Sequence, residues 1–277
     1  MDELDFTGPA RSADAPKLDF ARQCFESLGK SEEFAEGTLI FKEGQAADRM
    51  YFLVAGEIAL LRAGKTLDIV SSGEIFGEVA AVTEQSRSAS AVARKACRVL
   101  SLDVNQFRQS VQATPEFALL LMGVLNNRLR LTVALLGRNR SLASAESREE
   151  KAVFSKRELE ELASAMRARP PQTYPAGRAV MKEGDAGVYM YVVLRGKLSI
   201  SIQGTTVGQV NAGGVFGEMA LVDQSPRAAS ATADTESLLL QVSRADFLNL
   251  VKTNPGFAVA LIKATAGRLR HMTAQQK

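Results

Sequence analysis

Gly77 and Glu78, with Arg87 nine residues beyond the glutamate, are residue types suited to holding an oxyanion. A glycine turn feeding a short helix points unpaired backbone N–H groups outward, and such an end favours anions. Lacking a Cβ, Gly77 lets the backbone approach a phosphate closely. The planar fork of Arg87 can grip a phosphate with two parallel bonds and stays charged at any working pH. Ionised Glu78 only accepts hydrogen bonds, so beside an anion it is best explained by accepting from a ligand hydroxyl. Cradle, arginine and acidic acceptor together describe a phosphate joined to a sugar.

The same set returns at Gly217, Glu218 and Arg227, an offset of 140 residues. That offset also links Lys42-Glu43-Gly44 to Lys182-Glu183-Gly184, Met50-Tyr51 to Met190-Tyr191, and Arg128-Leu129-Arg130 to Arg268-Leu269-Arg270. With roughly a third of matched positions identical, so long a period means two copies of one domain.

Each copy must supply elements that hold the set in place. Leu18–Leu28 has helical apolar spacing and stops at Gly29. Short apolar runs punctuated by glycine follow, at Leu39–Phe41, Met50–Val54, Glu57–Leu61, Leu67–Val70 and Arg98–Leu102. This texture predicts a mainly β fold with flanking α-helices, most simply a jelly-roll-like double sheet in each copy. Helical texture returns at Val104–Val111 and Pro115–Gly137, with Thr114 at an N-cap position and Pro115 opening the helix. In the second copy, Ser155 and Glu158 stand at capping-box spacing before a helix ending near Pro170-Pro171. A β-rich segment from Tyr174 to Val242 and helices at Asp246–Val251 and Pro255–Met272 complete it. The expected domains are 17–140 and 153–277, with a polar connector over 141–152 and a disordered, Asp-, Ser-, Ala- and Pro-rich segment over 1–16.

A chain of 277 residues with 46% hydrophobic and 23% charged residues reads as an ordinary soluble protein of two domains. Its net charge of +3 argues for neither nucleic acid nor membrane as a partner. Cys24 and Cys97 do not repeat at the 140 offset and read as reduced cytosolic thiols. No signal peptide is expected, since the N-terminal MDELDFTGPARSADAP is acidic and polar, and no transmembrane helix, since Asn126, Asn127, Arg128 and Arg130 interrupt the most apolar run, Phe117–Leu136. His271 is the only histidine and has no companions for a metal site or a catalytic dyad. A cytoplasmic location and no cofactor are expected.

FGEVAA followed by SRSAS, and FGEMAL followed by PRAAS, each preceded by KEGxxxxxMY, resemble the cyclic-nucleotide-binding domain family. That family includes regulatory subunits of cAMP-dependent protein kinase and the sensor domains of catabolite activators. By this resemblance Gly217, Glu218, Met219 and Ala220 would form the turn and short helix of a phosphate cassette. Arg227 would pair with the exocyclic phosphate oxygens, the Ala228–Ala229 backbone would close the cradle, and Glu218 would accept from the ribose 2′-hydroxyl. Gly77, Glu78, Val79, Ala80, Arg87, Ser88 and Ala89 match them in the first copy. The PRAA run of the second copy is that of kinase subunits preferring cAMP, whereas Ser88 in the first would meet either the phosphate or a guanine 2-amino group. cAMP is thus the expected ligand, with cGMP the alternative at the first site.

Phe117–Leu136 carries two apolar stripes, Leu121/Leu125/Leu129/Thr132/Leu136 and Phe117/Leu120/Val124/Leu131/Leu135, so both sides should be covered, one by the roll and one by a partner helix. The RLxxT-like run at Arg128–Thr132 resembles one in catabolite activators whose threonine reaches the adenine amino group. Thr132 is therefore either a base contact or a mid-helix threonine bonded to its own backbone. The helices after the two rolls could pair within the chain as a pseudo-dimer, or between chains as a homodimer. Placed base, nucleophile and metal are all missing from the motif, which points to a non-catalytic receptor acting through a protein partner. Its rival is a scaffold that keeps the fold without the ligand. DNA binding through the basic run Arg128, Arg130, Arg138, Arg140 and Arg148 is the weakest reading at this charge.

Overall fold

Short apolar runs broken by glycine fold here into strands, and the fold is mainly β with flanking helices, as expected. The computed structural model describes residues 15–138, 148–149, 152–223 and 225–274. It divides into two compact units, Met1–Ser110 and Val111–Lys277.

In the first unit, α1 (Ala15–Leu28) precedes β1 (Lys30–Phe34), β2 (Leu39–Phe41), β3 (Arg49–Ala55), β4 (Glu57–Arg62), β5 (Lys65–Ser71) and β6 (Ile75–Phe76). The short helix α2 (Glu78–Thr83) is followed by β7 (Ser90–Ala93), β8 (Cys97–Asp103) and α3 (Val104–Ala113), whose last turn enters the second unit. Two four-stranded antiparallel sheets result, ordered β1-β8-β3-β6 and β2-β7-β4-β5. Between them lies a core that includes Leu53, Ile58, Val70, Phe76, Ala91 and Val99, all essentially inaccessible. Burying one such side chain contributes about 1.5–3 kcal/mol.

The second unit opens with α4 (Pro115–Arg138) and continues through β9 (Arg148–Glu149), α5 (Lys156–Ala165), β10 (Gln172–Tyr174), β11 (Ala179–Met181), β12 (Tyr189–Arg195) and β13 (Lys197–Ile202). After these come β14 (Thr205–Asn211), β15 (Val215–Phe216), α6 (Glu218–Asp223), β16 (Ser230–Ala233), β17 (Ser237–Ser243), α7 (Arg244–Thr253) and α8 (Pro255–Ala274). The sheet orders are β10-β17-β12-β15 and β11-β16-β13-β14-β9, so the second roll repeats the first except for β9, which pairs parallel with β14. Ser155 and Glu158 form the expected capping box on α5, and Ser243 and Asp246 form another on α7.

Helix α4 packs against α8, α6 and α7. Leu121, Leu125, Leu129 and Thr132 of its first stripe are buried. The second stripe is covered only in part: Phe117 is buried, Leu120 and Val124 are half-buried, and Leu131 is 42% exposed. The helices that follow the two rolls therefore pair within the chain. The side chains of Leu135, Leu136, Arg138 and Arg148, all of residue 140, and most of the 1–16 and 141–152 segments lie outside what is described; Ala15 and Pro16 belong to α1.

Repeated residues also do structural work. Glu43 accepts at 2.9 Å from the backbone N–H of Ala63, which has φ +47° at the β4–β5 turn, and its own N–H donates to Ser90 Oγ. Glu183 does the same for Gln203, at 2.7 Å, and Ser230. At Gly56, where φ is +102°, an added Cβ would lie 2.5 Å from Cys97 Cβ and 2.6 Å from the Ala96 carbonyl. Gly37, with φ +80°, has open space around it. Gly37→Ala should therefore cost about 1–2 kcal/mol of backbone strain. Gly56→Ala, which must also displace backbone, should cost about 3 kcal/mol or more in urea unfolding.

Candidate functional site

In both units the cassette is a loop closed on itself. Gly77 (φ +70°) and Gly217 (φ +75°) are left-handed, a conformation that strains any residue with a Cβ. Each turns the chain from a two-residue strand, β6 or β15, into a six-residue helix, α2 or α6. Glu78 and Glu218 open those helices and are 1% and 3% exposed. The far end of the loop is clamped to the KEG turn. Arg87 N–H donates to the Gln45 carbonyl at 2.7 Å while its own carbonyl accepts from Gly44. Arg227 does likewise with Asp185, at 2.8 Å, and Gly184.

The arginine side chains fold back over the cassette. Arg87 Nη1 donates to the Gly77 carbonyl at 2.7 Å and Nη2 to the Arg49 carbonyl at 2.8 Å. Arg227 Nη1 donates to the Gly217 carbonyl at 2.9 Å. They are 3% and 5% exposed. Arg87 has Asp48 at 4.0 Å, an aspartate whose side chain is 68% exposed. No carboxylate lies within ion-pair distance of Arg227 among the described residues. Burial lowers the pKa of both guanidinium groups from the ordinary arginine value. Two buried cations held mainly by neutral carbonyls are costly unless an anion joins them.

The remaining expected residues fall around these. Val79 and Met219 are half-buried, as are Ser88, Ala228 and Ala229, whereas Ala80 and Ala89 are buried; Ala220 lies in α6. Thr132 is buried on α4, in the second unit, while Gly77–Ala89 lie in the first. In α8, Thr273 bonds the Leu269 carbonyl of its own helix at 2.8 Å.

Sequence reasoning missed Arg268. From α8 it donates through Nη1 to Glu218 Oε1 and through Nη2 to the Val215 carbonyl at 2.7 Å. It thereby ties the last helix to both sides of the second cassette turn. Recurrence of Arg128 and Arg268 at the 140 offset was the available signal, but on a helix such a residue reads equally well as a solvated face. The aromatic bed of the first cassette was also missed. Phe41, Tyr51 and Phe76 stack with centroids 5.0–6.1 Å apart, and the Arg87 guanidinium lies 4.1 Å above Phe41.

Residues 31–114 and 171–254 each match the cyclic nucleotide-binding domain, and the chain belongs to that family. It is 28% identical to a cAMP-dependent protein kinase regulatory subunit of Eremothecium gossypii, over 78% of this chain and 43% of that protein. It is also 28% identical to a cGMP-dependent protein kinase of Toxoplasma gondii, over 76% of this chain and 19% of that one. The chain thus spans less than half the length of either relative. Among solved structures, Thermus thermophilus catabolite activator protein is 24% identical with a TM-score of 0.41, over 60% of this chain and 74% of that one.

Arg268→Ala would leave the Glu218 carboxylate, whose side chain is 4% exposed, without its cation. It should destabilise the second unit by about 3 kcal/mol. Arg268→Lys, which keeps the charge but loses the fork, should cost less in the same denaturation series.

Proposed function

We propose that this chain is a non-catalytic cyclic-nucleotide receptor, with cAMP its ligand, and that the repeats 17–140 and 153–277 each carry one site. The observation that carries this reading is the pair of buried arginines folded over glycine-turn cassettes, with Arg227 lacking a carboxylate partner among the described residues. A cyclic phosphate supplies the counter-anion each one needs. Glu78 and Glu218 then accept from the ribose 2′-hydroxyl, and Ser88 and Ala89 or Ala228 and Ala229 close the cradle.

Glu218 already holds Arg268. A nucleotide that bonds Glu218 therefore acts on the residue that anchors α8, and occupancy biases where that helix docks. A partner protein in the cytoplasm would read the change, as a kinase regulatory subunit's name implies for that relative. The alternative at the first site is cGMP. Ser88 is half-buried beside Arg87, and one relative is a cGMP-dependent kinase.

Equilibrium dialysis with labelled cAMP and cGMP checks this. Wild type should bind two cAMP per chain, and Arg87→Ala or Arg227→Ala one each, with the fold intact by circular dichroism. Normal affinity at a site lacking its arginine would sink the assignment. Glu218→Gln should weaken cAMP at the second site by about 1–3 kcal/mol, and 2′-deoxy-cAMP should show a similar loss on wild type. A preference for cGMP at the first site in Arg227→Ala would favour the alternative there.

A further inference from the structure

The repeat aligns Arg87 with Arg227, yet their seats differ. Beneath Arg87 lies the Phe41 ring, 4.1 Å from the guanidinium carbon and itself stacked with Tyr51 and Phe76. Two carbonyls fix the outer nitrogens, and Nε is buried without a hydrogen-bond partner. In the second unit Met181 stands at the position of Phe41. Its sulfur lies 3.5 Å from where a Cβ on Gly217 would be, much as the Phe41 ring lies 3.2 Å from that point on Gly77. Arg227 is left with Tyr191, 5.7 Å from its centroid, and with the single carbonyl of Gly217.

A desolvated guanidinium over an aromatic face gains from the ring quadrupole, whereas a thioether in that place offers contact without a negative face. The ring also fixes the guanidinium plane, so less freedom is lost when an anion binds. The buried, unbonded Nε gains a partner when an acceptor arrives, a second gain for binding at this seat.

We propose that Phe41 is a positioning residue for Arg87 and that it makes the first cassette the tighter of the two anion seats. This rests on the receptor reading of both cassettes.

Calorimetry with cAMP on the full chain tests it. With the second site silenced by Arg227→Ala, Phe41→Leu and Phe41→Met should weaken cAMP binding about tenfold, while Phe41→Tyr should stay within about twofold. With the first site silenced by Arg87→Ala, binding should be weaker than in Arg227→Ala, and adding Met181→Phe should tighten it several-fold. A gain at the second site cannot come from a damaged fold. Unchanged affinity in Phe41→Leu, failure of Phe41→Tyr to restore binding, or no gain from Met181→Phe would each overturn the proposal while leaving the receptor reading standing. Wild type that binds no cAMP would remove both.

Discussion

A guanidinium buried against the carbonyl of a left-handed glycine is the contact on which the rest of each unit depends. Carbonyls meet part of its hydrogen-bonding capacity and none of its charge. Everything around it holds that arrangement in place. The KEG turn clamps the arginine backbone, Glu43 and Glu183 brace the adjoining hairpin, and pairing of β6 with β3 and of β15 with β12 holds the glycine end of the loop. A cation kept out of water by this much structure makes physical sense as one half of an ion pair whose other half is a ligand.

The two units solve the same problem with different materials. An aromatic bed and two carbonyls hold Arg87. Arg227 rests on Gly217 and lies close against Gly187, where an added Cβ would stand 2.3 Å from its Nε. The first copy has Ala47 at that position. At the second cassette the acidic residue is bound to α8 through Arg268, so the Glu218 carboxylate and the last helix cannot be treated as separate parts. α4, which follows the first roll in sequence, folds into the second unit beside α8.

Most of this was legible in the sequence because the repeat exposed it. Gly77, Glu78 and Arg87 recur with their spacing intact, and glycine-punctuated apolar runs marked the strands whose side chains are buried. β1 went unseen because Lys30-Ser31-Glu32-Glu33-Phe34 is a polar edge strand with no apolar alternation; only its pairing with β8 makes it a strand. β6 and β15 are two residues long, too short for any period to register. Pairing of α4 with α8 was one of two arrangements that the apolar stripes allowed, and a stripe does not name its partner. Arg268 was visible as a repeated residue, but its bond to Glu218 spans 50 positions and belongs to the fold. Tyr51 and Phe76 recur as Tyr191 and Phe216, which stack at 5.0 Å, but Phe41 does not recur, so looking for what repeats passed over it.

The most direct measurement is a crystal structure of the chain grown with cAMP. Nucleotide should occupy both cassettes, with exocyclic phosphate oxygens within hydrogen-bond distance of Arg87 and Arg227 and the 2′-hydroxyls on Glu78 and Glu218. Nucleotide bound elsewhere, or cassettes whose arginines keep only their carbonyl bonds in saturating cAMP, would contradict the receptor reading.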